Sequence, residues 1–170
     1  MRTVLRPVGF AILATLSSGA LAAGKANPYA TATNGDFSVM ALITADPGWR
    51  NEWNRTDGFA PRLVPSDSVR TGDTAQVLVM FVGATEQAGK VSLICDASIA
   101  LPDGSVQRLA DAPCFQGALG GPREAVRLLE IDMGLHVEPS DALGVYTFTI
   151  GVSDAFGKRQ VDVDVSVEVQ

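Results

Sequence analysis

Apolar and polar residues alternate with a period of two through much of the second half of the chain. Residues 146–152 and 161–169 carry an apolar side chain at every second position, with mainly Thr, Gly, Asp and Glu between them. Because successive side chains of a strand point to opposite faces, this pattern predicts a hairpin with one buried and one solvated face. Residues 91–101 repeat the alternation. Residues 74–83 are apolar on both faces, which predicts a central strand.

The first half of the chain contains weaker signals. Residues 37–43 alternate and predict a first strand, and residues 66–73 predict a short edge segment with a tight turn. Asp46-Pro47 is typical of a helix start and places Trp49 and Trp53 four residues apart on one face of a short helix. Later, residues 105–110 are expected to return as a hairpin partner of the preceding strand. Residues 124–133 are predicted as a strand, with a helix as the alternative.

Strands that follow one another at short intervals, separated by turn residues and without long amphipathic helices, are typical of antiparallel sandwiches. The sequence therefore predicts an all-β fold. We expect an antiparallel β-sandwich of about seven strands, with one short helix in an early loop. A single domain is expected over residues 36–170.

The N-terminal segment has the composition of an export signal. Arg2 and Arg6 precede an apolar stretch, and Ala20-Leu21-Ala22 then matches a cleavage site, so residues 1–22 are predicted to be a signal peptide. Residues 23–35 are small and polar, and we expect them to form a disordered mature N-terminus. The stretch is too short to span a membrane, so we expect a periplasmic or secreted protein that is not membrane-embedded.

The charge of the chain narrows the choice of partner. The formal net charge is −6, and removal of the two arginines of the signal changes it to −6 − 2 = −8. An acidic protein without a basic cluster repels phosphate backbones, which argues against nucleic acid.

Two cysteines, Cys95 and Cys114, are present in the predicted mature protein. In an oxidising compartment an even pair is usually a disulfide. The alternation of residues 91–101 points Cys95 into the core, whereas Cys114 is expected in an irregular segment. The alternative, a redox or metal pair, requires a much shorter separation.

The run Pro139-x-Asp141-x-x-Gly144-x-Tyr146, followed by a hairpin Asp and a Val-rich last strand, resembles the end of immunoglobulin-like and fibronectin-type bacterial sandwich domains. Parts of the chain also resemble a group of small exported bacterial proteins without an assigned activity. The resemblance implies a structural role for Gly144 and a tyrosine corner at Tyr146, whose hydroxyl would return to nearby backbone. It implies no activity. Antibody-type kinship is not expected, because both tryptophans lie in the early loop.

Catalytic and metal-binding patterns are weak. His136 is the single histidine, in a turn-like stretch, and no Gly-x-Ser-x-Gly motif accompanies it. Asp162, Asp164 and Glu168 are spaced along a strand face, which favours a solvated surface over an ion site. A pair of catalytic carboxylates is left open, since sequence spacing does not show which acids face one another. We expect no cofactor, no metal and no enzyme activity.

The loop over residues 46–65 differs from the rest in composition, because tryptophan and arginine dominate protein interaction hot spots. In one interpretation this loop is a contact surface. In the other, the tryptophan pair covers core residues at an open end of the sandwich.

We expect a binding or interaction module for a protein or envelope component. The alternatives are an assembly subunit of an envelope apparatus that pairs through an edge strand and, last, a carboxylate-based hydrolase. The candidate contact residues are Trp49, Arg50, Trp53, Arg55, Phe59 and Arg62.

Overall fold

The computed structural model describes residues 25–170, which contain ten strands and one short helix. The predicted signal peptide, residues 1–22, lies outside this range. Across the described residues, no helix combines the length and apolar content needed to cross a membrane. The elements are β1 (Tyr29–Asn34), β2 (Phe37–Thr44), α1 (Trp49–Trp53), β3 (Ser68–Val69), β4 (Thr74–Val82), β5 (Val91–Ala100), β6 (Val106–Gly117), β7 (Arg127–Leu128), β8 (Met133–His136), β9 (Gly144–Asp154) and β10 (Arg159–Val169).

The strands form two sheets. In the first sheet the order is β1-β2-β4, and β7 and β8 both pair with the other edge of β4. In the second sheet the order is β3-β10-β9-β5-β6. All pairings are antiparallel except that of β3 with β10. The all-β prediction is therefore confirmed, and so is the central position of β4.

The main core lies between the sheets, where alternate residues of β2, β4, β5, β9 and β10 meet. The five valines of β10, from Val161 to Val169, are all at most 4% exposed. Phe81 of β4 packs edge-on against Phe115 of β6, with ring centroids 5.0 Å apart, and so joins the two sheets. The predicted alternation thus identifies the buried face correctly.

Two expectations are wrong: that residues 23–35 are disordered throughout and that the fold has about seven strands. Residues 29–34, expected to be disordered with the rest of 23–35, form β1 and pair with β2 from Tyr29↔Leu42 to Asn34↔Phe37. Their side chains are mostly exposed because they lie on an edge strand. The small and polar composition that suits this exposed position is also typical of a disordered segment. The expected number of strands was about seven, whereas ten are present over residues 25–170, two of them only two residues long.

The segment 124–133 is neither a continuous strand nor a helix. It contains β7, and β8 begins at its end, with an irregular connection over residues 129–132. Met80 pairs with Leu128 and Val77 with Met133, so four residues, 129–132, face only two residues of β4. Leu129 of this connection stays in the main core at 3% exposure, and its N–H donates to the carbonyl oxygen of Val79 at 2.8 Å. His136, expected in a turn, lies in β8 and pairs with Thr74.

The disulfide between Cys95 and Cys114 is present, as predicted. Cys114, expected in an irregular segment, lies in β6, next to its partner strand β5. The register shifts between Leu93 and Ile94, where Ile94 pairs with Pro113 and Leu93 with Phe115. Cys114 is the extra residue of this bulge, and a bulge re-aims side chains, which explains how both sulfurs are buried on the core side.

The end of the chain has the local geometry that the resemblance implied. The hydroxyl of Tyr146 donates to the carbonyl oxygen of Ala142 at 2.9 Å. Burial and the charges of Asp141 and Asp103 raise the pKa of Tyr146, which keeps the hydroxyl protonated as a donor. Gly144 has φ +130°, and a Cβ there would lie 3.0 Å from Cβ of Pro102. Both residues therefore shape the entry into β9.

A buried carboxylate organises the β9–β10 turn. Asp154 is 1% exposed and accepts the N–H groups of Thr85 and Gly157 at 2.9 and 3.0 Å. Arg159 donates to it at 3.0 Å and to Asp36 as well. Burial by itself would raise the pKa of Asp154, but the Gly157, Thr85 and Arg159 donors together outweigh it and hold the pKa below its ordinary value.

We expect reduction of the disulfide to lower the free energy of unfolding by about 3 kcal/mol, because the bond closes a long loop in the unfolded chain. Denaturant unfolding with and without reductant measures the difference. A variant with both Cys95→Ala and Cys114→Ala is the control, since reductant should not affect it. Two titratable thiols in oxidised, denatured protein would contradict the prediction.

We also expect acid to destabilise the fold through Asp154. A carboxyl group whose folded pKa is depressed stabilises the protein above its unfolded pKa of about 3.9, and the contribution is lost as pH falls towards the folded value. Asp154→Asn should therefore be less stable at pH 7 and show a smaller loss between pH 5 and pH 2. Asp164→Asn, on the exposed face of β10, is the matched control. Parallel pH profiles for wild type and Asp154→Asn would refute this role.

Candidate functional site

The outer face of the first sheet is apolar at its centre and is covered by α1. Leu42 and Leu78 are 4% and 3% exposed, although they point away from the main core. Trp49 packs on them together with Met80, and Trp53 and Leu63 lie beside this second cluster. The cluster explains why β4 is apolar on both faces: one face packs in the main core between the sheets, and the other packs against α1.

The helix start differs slightly from the prediction. α1 begins at Trp49, with Gly48 as its N-cap, and the carboxylate of Asp46, two residues before the cap, accepts the N–H of Gly48 at 2.7 Å. The two tryptophans still fall on the same side, four residues apart. They cover the outer sheet face, whereas one of the two interpretations had placed them over an open end of the sandwich.

A cleft of about 430 Å³ lies between α1 and the irregular connection 129–132, a size within the range of small-ligand sites. The helix wall carries Arg50, Trp53 and Asn54. The opposite wall carries Glu130 and Asp132, and β4 forms the floor with Gln76 and Leu78.

The cleft walls are held by several contacts. The guanidinium of Arg50 lies over the Trp49 ring, 4.4 Å from its centroid, an arrangement worth about 0.5–1 kcal/mol at a surface. Gln76 donates to Asp132 at 2.6 Å and ties the far wall to the floor. The N–H of Glu130 donates to the carbonyl oxygen of Cys114 at 2.8 Å, which anchors the same wall to β6 of the second sheet.

The structure divides the six predicted contact residues into two groups. Trp49, Arg50 and Trp53 line the cleft. Arg55, Phe59 and Arg62 line a separate hollow of about 470 Å³ on the following loop. No residue occurs in both lining sets, so the six residues line two different hollows.

The second group is partly engaged within its own loop. Arg55 pairs with Glu52 at 3.0 Å and with Asp57. Hydrogen bonds from Arg55 lower the pKa of Glu52 and of Asp57. Arg62 donates its backbone N–H to Glu52, and Phe59 is 73% exposed. This hollow therefore holds the exposed Phe59 ring beside Arg55, whose guanidinium is engaged in two ion pairs.

Sequence reasoning missed the other half of the cleft. Gln76, Glu130 and Asp132 are separated from α1 by at least 22 residues, and no local pattern relates them to it. The available signal was indirect: β4 is apolar on both faces, which requires a second covering element, and the alternation of residues 124–133 is irregular. Neither observation specifies which polar side chains meet the helix.

We expect the two tryptophans to differ in their effect on stability. Trp49 is 8% exposed and packs on Leu42, Leu78 and Met80, so Trp49→Ala should cost about 3 kcal/mol or more. Trp53 is only half-buried, and Trp53→Ala should cost about 1 kcal/mol. Denaturant unfolding checks both values, with Phe59→Ala as a control that stays within about 0.5 kcal/mol of wild type. Equal losses for the two tryptophan variants would contradict the packing described above.

Comparison with known proteins adds little. No family model and no curated protein matches the chain. Among solved structures, the chain is similar to a family 123 glycoside hydrolase from Clostridium perfringens, at 8% sequence identity and a TM-score of 0.42. The match covers 78% of this chain and 27% of the hydrolase chain. A likeness this distant carries no argument about the fold or function of this protein.

Proposed function

We propose that this protein is a non-enzymatic binding module and that the cleft between α1 and residues 129–132 is its binding site. The observation that carries the proposal is the half-buried Trp53 beside Arg50, facing polar side chains across an open cleft. Aromatic and arginine side chains at a preformed concavity are typical of binding hot spots. The β4 floor and the Gln76–Asp132 and Glu130–Cys114 hydrogen bonds preorganise the walls. The proposed module uses no cofactor.

We place the module in the periplasm or outside the cell. The buried Cys95–Cys114 disulfide supports an oxidising compartment, as does the signal-like composition of residues 1–22. We further propose an immunoglobulin-like arrangement of the sandwich. The Tyr146 hydroxyl bound to the Ala142 carbonyl oxygen supports it, since that contact is the one that the resemblance implies.

Assembly through an edge strand is the second candidate function. β6 is a twelve-residue edge strand with Val106 and Leu109 exposed, and a groove of about 420 Å³ separates it from β8. The same strand carries Arg108, which pairs with Asp96 and Asp111 on the solvent face. Charges of this kind protect edge strands from pairing, so the groove supports assembly less well than the cleft supports binding.

A carboxylate-based hydrolase is the least supported candidate. Such an enzyme needs two carboxyl groups on opposite sides of the bond that it cleaves. Glu130 and Asp132 lie on the same wall of the cleft, and Arg50 and Asn54 occupy the other.

The test uses a partner isolated from envelope extract with the immobilised mature protein. We expect its addition to change the tryptophan fluorescence, and Trp53→Ala to weaken binding by about 2 kcal/mol while the domain remains folded. Leu109→Lys on β6 tests the second candidate, and Asp164→Asn is the control for an unrelated surface. Unchanged affinity for Trp53→Ala, together with loss for Leu109→Lys, would favour assembly and overturn the proposal.

A further inference from the structure

The two walls of the cleft carry opposite charges that do not neutralise each other. Arg50 lies on the helix wall and Glu130 and Asp132 on the other, and none of them takes part in an ion pair among residues 25–170. A ligand with a strong charge of either sign would therefore approach one wall of like charge. The net charge of −6 adds a long-range repulsion of anions. These charges favour a ligand without net charge.

The polar side chains of the cleft share one chemical property. Each ends in a planar group with at least two neighbouring donor or acceptor atoms. A hydroxyl group both donates and accepts, so adjacent hydroxyls satisfy donors on the helix wall and acceptors on the opposite wall equally well. The side chains concerned are Arg50, Asn54, Gln76, Glu130 and Asp132.

Trp53 adds an apolar surface next to these groups. Its half-buried side chain packs against the cluster of Leu42, Trp49, Leu78 and Met80, and Trp53 also lines the cleft. The electron-rich face of an indole attracts C–H groups, and a sugar ring presents several of them on one face. A ligand that combines hydroxyl edges with an apolar ring face meets both requirements of the cleft at once.

We infer that the cleft binds an uncharged sugar ring of a glycan. The inference rests on the proposed function and names the ligand class of the same site. The sugar lies with its C–H face on Trp53. Its hydroxyls accept from Arg50 and Asn54 and donate to Glu130 and Asp132.

The experiment titrates the mature protein with neutral hexasaccharides built from glucose, mannose or N-acetylglucosamine. Basic, acidic and zwitterionic hexapeptides are titrated in parallel, with tryptophan fluorescence and calorimetry as readouts. At least one sugar should saturate the signal, with a dissociation constant that is nearly independent of salt, because no ion pair forms with the ligand. Trp53→Ala should weaken binding by about tenfold or more.

Further variants test the geometry. Trp53→Phe retains an aromatic face and should lose less affinity than Trp53→Ala. Asp132→Asn keeps an oxygen acceptor for Gln76 but removes the charge, and should weaken sugar binding about threefold, as expected for one hydrogen bond. Asp164→Asn is its matched control, since that carboxylate lies on the exposed face of β10 in the other sheet.

The outcomes separate the two proposals. No saturating response to any of the sugars, or sugar binding that is unaffected by Trp53→Ala, overturns the glycan inference. If a hexapeptide binds instead and needs Trp53, the cleft is a peptide site and the proposed binding function stands. If the envelope partner is also indifferent to Trp53→Ala, both proposals are wrong.

Discussion

The two apolar faces of β4 are the constraint on which the rest of the structure depends. Val77, Val79 and Phe81 face the space between the sheets, while Leu78 and Met80 face outwards. Because both faces are apolar, each must pack against another element. Burial of apolar surface stabilises the fold by roughly 25 cal/mol per Å², and a face left in water loses this contribution. The second sheet covers one face and α1 covers the other. The helix is therefore held on the sheet surface by Trp49, and this placement brings Trp53 and Arg50 to the edge of the cleft.

Much of the fold was predictable because strand alternation is a local property. The burial of alternate residues in β5, β9 and β10, the inward Cys95 and the central β4 follow from patterns a few residues long. β1 was not predictable, because its edge position exposes its side chains and its pairing with β2 depends on backbone groups. The position of Cys114 was missed for a related reason, since a bulge breaks the alternation that identifies a strand.

Only the residues of α1 were predictable as part of the candidate site. Trp49, Arg50 and Trp53 stand out because tryptophan and arginine are enriched at interaction hot spots and because helical spacing groups them. Glu130 and Asp132 line the cleft from the connection between β7 and β8, which is two residues longer than the stretch of β4 that it faces. Such a mismatch exists between two distant segments, so it becomes visible only when the register is known.

The hydrogen bond from Glu130 to the Cys114 carbonyl oxygen has a consequence beyond local order. It joins one wall of the cleft to the strand that carries the disulfide, so a shift of that part of β6 on reduction would be transmitted to the wall. Linkage of this kind is reciprocal. If reduction lets the wall drift and weakens a bound ligand, the ligand protects the disulfide from reduction by the same free energy. A ligand in the cleft and a reductant of the disulfide would then act on each other through this part of β6.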